Sequence, residues 1–120
     1  MNRILVIEDD DINFLLIEEI LSKFDISLSR AANGKEFYSI LSKTKGFHLI
    51  LMDLMLPDTD GIELAKYVIK NRIQIPIVFI SAYSEHCDEI FELGIEYFLT
   101  KPIMRELFLS VIKKYIMIIG

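Results

Sequence analysis

Charged and hydroxyl side chains stand directly after the apolar runs of this sequence. Glu8-Asp9-Asp10-Asp11 follows Ile4-Leu5-Val6-Ile7, and Asp53 follows Leu49-Ile50-Leu51-Met52. Ser81 follows Ile77-Val78-Phe79-Ile80, and Thr100-Lys101 follows Tyr97-Phe98-Leu99. Brought together, Glu8, Asp9 and Asp53 would supply three carboxylates, Ser81 a hydroxyl and Lys101 an ammonium. Carboxylates a few ångströms apart repel by roughly 1–4 kcal/mol per pair, so such a group needs cations. Lys101 supplies one charge. A hard divalent ion would supply the rest, and Mg2+ suits one or two carboxylates plus waters. Taken singly, each residue has a plainer role. An acidic run before a helix is ordinarily a solvated N-cap that complements the helix dipole, and Asp10 and Asp11 keep that reading. Asp53 alone would be a turn residue, Ser81 alone a cap, and Lys101-Pro102 a turn into a helix. Only their convergence on one edge gives them chemistry.

Convergence depends on the elements that carry them. The runs 4–7, 49–52 and 77–80 are apolar on both faces, as central strands of a parallel sheet are. Ile26 to Arg30 alternates and Tyr97 to Leu99 is short, so both read as edge strands. Apolar residues at three- and four-residue spacing predict helices over 12–23, 34–44, 61–72, 85–93 and 103–116. Asn33 with Glu36, and Asp60 with Glu63, fit the cap-plus-acid pattern. Pro102 stands where the last helix would begin and Gly94 where the fourth would end. Five such units at about 24 residues each account for all 120 residues. The reading is an α/β, doubly wound (βα)5 chain with a five-stranded, flavodoxin-like parallel sheet. Order 2-1-3-4-5 puts the apolar trio in the middle and the weak strands outside. The sheet then reverses direction between the first and third strands, and open α/β sheets bind ligands at the carboxyl ends beside that switch point.

Composition narrows the function classes. Hydrophobic residues make up 52% and charged residues 26%, enough to build a core. The net charge of −5 argues against a nucleic-acid surface, which needs clustered Lys and Arg. A lone Cys87 cannot staple the fold and suits a reducing compartment. No run nears the roughly 18 apolar residues of a membrane helix, and the acids at 8–11 interrupt any secretory signal. The expectation is a cytoplasmic protein, residues 1–120 forming one domain, with neither nucleic acid nor membrane as partner.

Four segments, Ile4-Leu5-Val6-Ile7-Glu8-Asp9-Asp10, Asp53-Leu54-Met55-Leu56-Pro57-Asp58-Thr59-Asp60-Gly61, Ile80-Ser81-Ala82 and Phe98-Leu99-Thr100-Lys101-Pro102, stand in order and at the spacing of a known family. Together they resemble the response-regulator receiver domain of two-component phosphorelays, over essentially the whole chain. The resemblance implies that Asp53 is a phosphoacceptor, attacking a phosphohistidine or a small acyl phosphate. It implies Mg2+ bound by Asp9, Asp53 and the backbone carbonyl of Met55, with Glu8 assisting through water. Lys101 would share the charge of the phosphoryl group, and Ser81 would hydrogen-bond one of its oxygens. Phe98 would be the aromatic that turns inward as Ser81 shifts, and the bond before Pro102 would be cis. The implied donor is a histidine kinase or a histidine phosphotransfer protein, and the implied output a downstream protein or a homodimer. Such a protein is not an enzyme on other molecules; it transfers a phosphoryl group only to itself and slowly loses it.

The sequence departs from the family pattern in places. Ser81 replaces the commoner Thr and keeps the hydroxyl. Phe98 replaces the commoner Tyr and cannot hydrogen-bond when turned outward. Met55 and Tyr83 are bulky where the family tunes the lifetime of its phosphoryl group. From Ser81 to Lys101 is 20 residues, about two fewer than the family's usual interval, which shortens the fourth helix or its loop and puts a standard dimer through it in doubt. Ile116, Met117, Ile118 and Ile119 extend the apolar stripe of the last helix.

The first helix is apolar beyond need, with Ile12, Phe14, Leu15, Leu16, Ile17, Ile20, Leu21 and Phe24. Leu16, Ile17, Ile20 and Leu21 are assigned to the core, which leaves Phe14 or Leu15 exposed. In the resembled family this helix borders the surface that docks kinase or phosphotransfer helices, although scattered surface apolars are ordinary.

Other readings fare worse. A flavin-binding carrier on this topology wants a hydroxyl- and Gly-rich phosphate loop where four acids stand. A hydrolase wants a Ser-His-acid or Cys-His set on one edge, and none falls there. His48 and His86 are too far apart in sequence to suggest a metal pair, and Asp58-Thr59-Asp60-Gly61 fails as a calcium loop because Leu56 and Tyr67 occupy its first and twelfth ligand positions. The alternative that stays open is a pseudo-receiver that is never phosphorylated and acts by protein interaction alone.

Overall fold

In the computed structural model, which describes residues 2–83 and 86–116, strand and helix alternate five times. The elements are β1 (Asn2–Ile7), α1 (Asp11–Leu21), β2 (Ile26–Ala31), α2 (Gly34–Lys43), β3 (Leu49–Met52), α3 (Gly61–Lys70), β4 (Ile77–Ser81), α4 (Cys87–Glu92), β5 (Tyr97–Thr100) and α5 (Arg105–Ile112). All strand pairs are parallel and the order is β2-β1-β3-β4-β5, as the burial pattern requires. Every residue of β3 and β4 is buried, whereas β2 and β5 are mostly half-exposed edges.

Alternation along the strands divides the core into two layers. Leu5, Ile7, Ile50, Met52 and Phe79 face α2, α3 and α4, where Phe37, Leu64 and Ile90 meet them. Ile4, Val6, Leu51, Val78 and Ile80 face α1 and α5, where Ile17, Ile20, Phe108 and Ile112 meet them. Each fully buried side chain of this size contributes about 1.5–3 kcal/mol, which is how strands of four residues persist.

The caps expected at two helices are present. The Asn33 side chain accepts from the Glu36 amide at 2.8 Å, and the Glu36 carboxylate accepts from the Ala32 amide at 2.7 Å. Asp60 accepts from the Glu63 amide at 2.9 Å. Asp10 caps α1 through the Ile12 amide at 2.8 Å. Gly94, at φ +89°, follows the end of α4 in a conformation that only glycine takes freely. Gly61 is demanded by closeness: a Cβ there would overlap the Asp53 carbonyl oxygen and come within 2.7 Å of the Phe79 ring.

Three expectations need correction. Pro102 does not open the last helix: it follows a cis bond from Lys101, as the resemblance implied, and α5 starts at Arg105, once the chain has left that turn. Regular helix also ends at Ile112, although Ile116 still packs in the core. The fourth helix is only six residues, from Cys87, and the Glu85 start expected for it lies outside the described residues, as do Met117, Ile118 and Ile119. On α1, Ile17, Ile20 and Leu21 are buried and Leu16 is half-buried. Leu15 is exposed as expected, but Ile12 is more so, at 76% against 58%. Phe14 is sheltered under the Arg30 guanidinium, 4.9 Å from the ring centre.

Candidate functional site

Register decides which polar residues meet. Ile7 pairs with Ala31 and Met52, so β1, β2 and β3 end level. Met52 pairs with Phe79, so β4 runs two residues further and ends level with β5, Ser81 pairing with Thr100. The chain leaves the sheet in the same way at each: the Glu8 amide donates to the Ala31 carbonyl, the Asp53 amide to Ile7 and the Lys101 amide to Ser81, at 3.0, 3.0 and 2.9 Å. Glu8, Asp53, Ser81 and Lys101 thereby line one cavity of about 360 Å³, with Asp9, Met55 and Tyr83 around its mouth. Among the described residues the buried polar or charged ones are Glu8, Asp53 and Ser81, at 2%, 7% and 0% exposure. All three belong to this cavity.

Lys101 bridges the two buried acids. Its Nζ lies 2.8 Å from Glu8 Oε1 and 3.1 Å from Asp53 Oδ2. The Asp10 amide donates to Glu8 Oε2 at 3.2 Å, and the Met55 amide makes a long 3.4 Å contact to Asp53 Oδ1. Ser81 Oγ accepts from the Tyr83 amide at 3.3 Å. Carboxylate oxygens of Glu8, Asp9 and Asp53 lie within 4.8 Å of one another. Three carboxylates against one ammonium leave a charge deficit of two, on oxygen donors alone. That donor set fits a hard divalent ion such as Mg2+.

Burial pushes the Glu8 carboxyl up from 4.5 to about 7; Lys101 opposes the shift and the Asp53 charge adds to it. Burial by itself would depress the Lys101 ammonium, but the Glu8 and Asp53 carboxylates outweigh it and hold the ammonium above its ordinary value. Stability must then depend on pH. Between pH 4.5 and about 7 the unfolded chain has released the Glu8 proton while the folded chain keeps it, so stability falls as pH rises through that window. Glu8→Gln, a mimic of the protonated side chain, is expected to be more stable than the parent by about 1–3 kcal/mol at pH 8 without divalent ions, and by less at pH 5. Urea unfolding at the two pH values measures this, and a difference that does not change with pH would refute it.

Of the residues singled out from sequence, Phe98 stands apart from the cavity. It pairs with Phe79 on the face of the sheet that also carries Ser81, and packs half-buried against the α2–α4 layer. His48 belongs to the opposite end of the sheet, where its Nδ1 accepts from the Arg3 amide at 3.0 Å. His86 faces Glu89 at 3.6 Å. Sequence reasoning overlooked Asn13, which lines the cavity from the first turn of α1. It also overlooked Arg30, whose Nε donates to the Glu8 carbonyl at 3.0 Å while its guanidinium meets Asp11 at 2.7 Å. Asn13 was findable as the residue one turn beyond the acids. No local signal marks Arg30, since its partners lie about twenty residues earlier and across a strand.

Comparison with known proteins agrees with this arrangement. Residues 4–113 match the response regulator receiver domain family. The transcriptional regulatory protein SrrA of Staphylococcus aureus is 34% identical over 103 residues, a stretch covering 84% of this chain and 42% of SrrA. The chain thus spans about two-fifths of the length of the curated relatives it matches. A CheY-like receiver domain from Methanospirillum hungatei superposes with a TM-score of 0.86 at 26% identity, covering 95% of this chain and 92% of that one. The response regulator TrrA from Thermotoga maritima, solved with Mg2+ and BeF, gives 0.84 at 25% identity, covering 97% of this chain and all of that one.

Proposed function

Because this chain belongs to the response regulator receiver domain family, whose general function is to take a phosphoryl group on an aspartate, we propose that Asp53 is its phosphoacceptor. The observation that carries the reading is the Asp53 carboxylate itself, buried at the cavity floor with the Lys101 ammonium 3.1 Å away and two further acids beside it. An Asp53 oxygen would attack the phosphorus of a phosphohistidine on a histidine kinase or phosphotransfer protein. The P–N bond breaks, the imidazole leaves with the electron pair, and an acyl phosphate remains on Asp53. Asp9, Asp53, the Met55 carbonyl and, through water, Glu8 would hold Mg2+, which when bound offsets charge on the phosphoryl oxygens. Lys101 would follow the phosphoryl group and bond one of its oxygens, and the Ser81 hydroxyl would donate to another. As Ser81 moves, Phe98 would turn into the space behind it and bias the α4–β5–α5 surface toward a downstream protein or a second copy.

The donor would reach the cavity over α1. Ile12 and Leu15 are exposed one turn apart, next to Asn13 on the cavity wall, and Met104 is 64% exposed three residues past Lys101. An apolar helix face on the phosphodonor suits such a patch. The protein would act in the cytoplasm, and only on itself. Intact mass after incubation with acetyl phosphate, with and without Mg2+ and with rapid acid quenching, tests the reading: one added phosphate that requires the ion is expected.

Met55 and Tyr83 are exposed at the rim of the cavity and would obstruct water approaching the acyl phosphate. Met55→Asn and Tyr83→Ala are each expected to shorten its lifetime by roughly threefold or more. Timed loss of the adduct measures this, and unchanged decay in both variants would refute it.

A further inference from the structure

The segment from Asp53 to Gly61 is a small hairpin. At its base the Gly61 amide donates to the Leu54 carbonyl at 2.6 Å, and Met55 bridges to Asp60. Nearer the tip the Leu56 amide donates to Thr59 at 3.2 Å, and Pro57 has no amide to give. The tip is held from outside. Asp58 reaches across to α2, taking the Gly34 amide on Oδ1 at 2.8 Å and the Lys35 amide on Oδ2 at 3.1 Å. Two free amides at a helix start, together with the helix dipole, make a strong seat for a carboxylate. The Gly34 amide leads in holding the Asp58 carboxyl below the usual carboxylate range.

The seat is also shaped to the tip. A Cβ on Gly34 would lie 2.7 Å from Thr59 Cγ2 and 3.3 Å from Asp58 Oδ1. The helix behind it is anchored, with Phe37 and Leu41 buried in the same core layer as Leu54 and Ile62. The hairpin is thus fixed at its base by the sheet and at its tip by α2, and Met55 stands between the two fixed points.

We propose that Asp58 is a positioning residue for the metal site: by clamping the hairpin tip to the start of α2 it holds the Met55 carbonyl where Mg2+ takes it as a ligand. The inference rests on the reading of the Mg2+ site given above. Groups that orient metal ligands from behind commonly govern affinity by about tenfold or more, with no contact to the ion. The clamp also joins two loops that sequence separates by more than twenty residues, so movement of α2 would reach the metal site through this carboxylate.

The test is the Mg2+ concentration that half-saturates the rise in melting temperature, measured for the parent, Asp58→Ala, Asp58→Asn and Gly34→Ala. Asp58→Ala is expected to raise it about tenfold, and Asp58→Asn, which keeps one acceptor oxygen, by less. Gly34→Ala displaces the tip without altering charge and is expected to raise it as well. Labelling by acetyl phosphate should recover toward the parent rate in all three at saturating Mg2+, because Asp53, Lys101 and Ser81 are untouched. Equal effects of Ala and Asn at 58 with none from Gly34→Ala would mean a charge effect and overturn the proposal. Lower melting temperatures with unchanged Mg2+ half-saturation would mean a purely structural cap and overturn it too. A parent protein that does not respond to Mg2+, or whose response survives Asp9→Asn, would overturn the reading of the site and this inference with it. If Asp58→Ala does not fold, Asp58→Asn and Gly34→Ala decide.

Discussion

Asp53→Asn is expected to abolish the phosphoryl adduct formed from acetyl phosphate, in the presence of Mg2+ and at any incubation time. The amide has almost the shape of the carboxylate but its oxygen is not a nucleophile, so the bond-forming step is removed together with one charge that would face Mg2+. Glu8, Asp9 and Lys101 keep their places around it. The variant should also fold at least as well as the parent without metal, because one of three crowded carboxylates is gone. Loss of the adduct then cannot be ascribed to unfolding. An adduct that persists in Asp53→Asn would move the acceptor to Asp9, Asp10 or Glu8. A parent protein that takes no phosphate at all would favour a pseudo-receiver that signals by binding alone.

Lys101→Met should have the next largest effect, and on two quantities. The Lys101 ammonium lies within 3.1 Å of both Glu8 and Asp53, and it alone among the described residues forms an ion pair with either. Removing one partner of a buried ion pair costs about 3–5 kcal/mol, so without divalent ions at pH 8 the variant should unfold at markedly lower urea. The sign of the pH dependence follows from Glu8. Its folded carboxyl already stands above 4.5, at about 7, with Lys101 opposing the shift; without Lys101 it rises further. The deficit must therefore shrink as pH falls toward 5.5 and Glu8 takes up its proton. Added Mg2+ should recover part of the loss, since binding to the folded state alone stabilises it. Phosphorylation is expected to slow by about 10²–10³-fold even where the variant is folded, the scale seen when one preorganised stabilising group is removed. Urea titrations at the two pH values and initial labelling rates measure both effects. A pH-independent deficit, or a rate within a few-fold of the parent, would count against this role.

Legibility from sequence followed a physical divide. The runs 4–7, 49–52 and 77–80 had to be central strands because a sheet covered on both faces leaves no polar position in them. The caps at Asn33 and Asp60 were readable because their partners lie three residues away. Pro102 misled as a helix start because a proline after a lysine suits a helix start and a cis turn equally; the family resemblance, not the local sequence, pointed to the cis bond that is present. On α1, periodicity identified Ile17, Ile20 and Leu21, but that Phe14 rather than Leu15 is covered depended on Arg30 arriving from β2.

By itself the sequence determined the alternation of elements, the strand order and the kinds of group that gather at the carboxyl edge of the sheet. These follow from apolar periodicity and from what stands next in the chain after each run. Only the tertiary structure decided how the gathered groups divide the work. Glu8 and Asp9 are adjacent acids, yet Glu8 is buried against Lys101 while Asp9 is exposed at the cavity. Strand periodicity could not foretell this, because Ile4 to Ile7 are buried on both faces and mark neither side as inward. The same holds for Arg30 on the Glu8 carbonyl and for Asp58 on the start of α2. Each joins residues more than twenty positions apart, and contacts of that kind exist only once the sheet has brought its strand ends together.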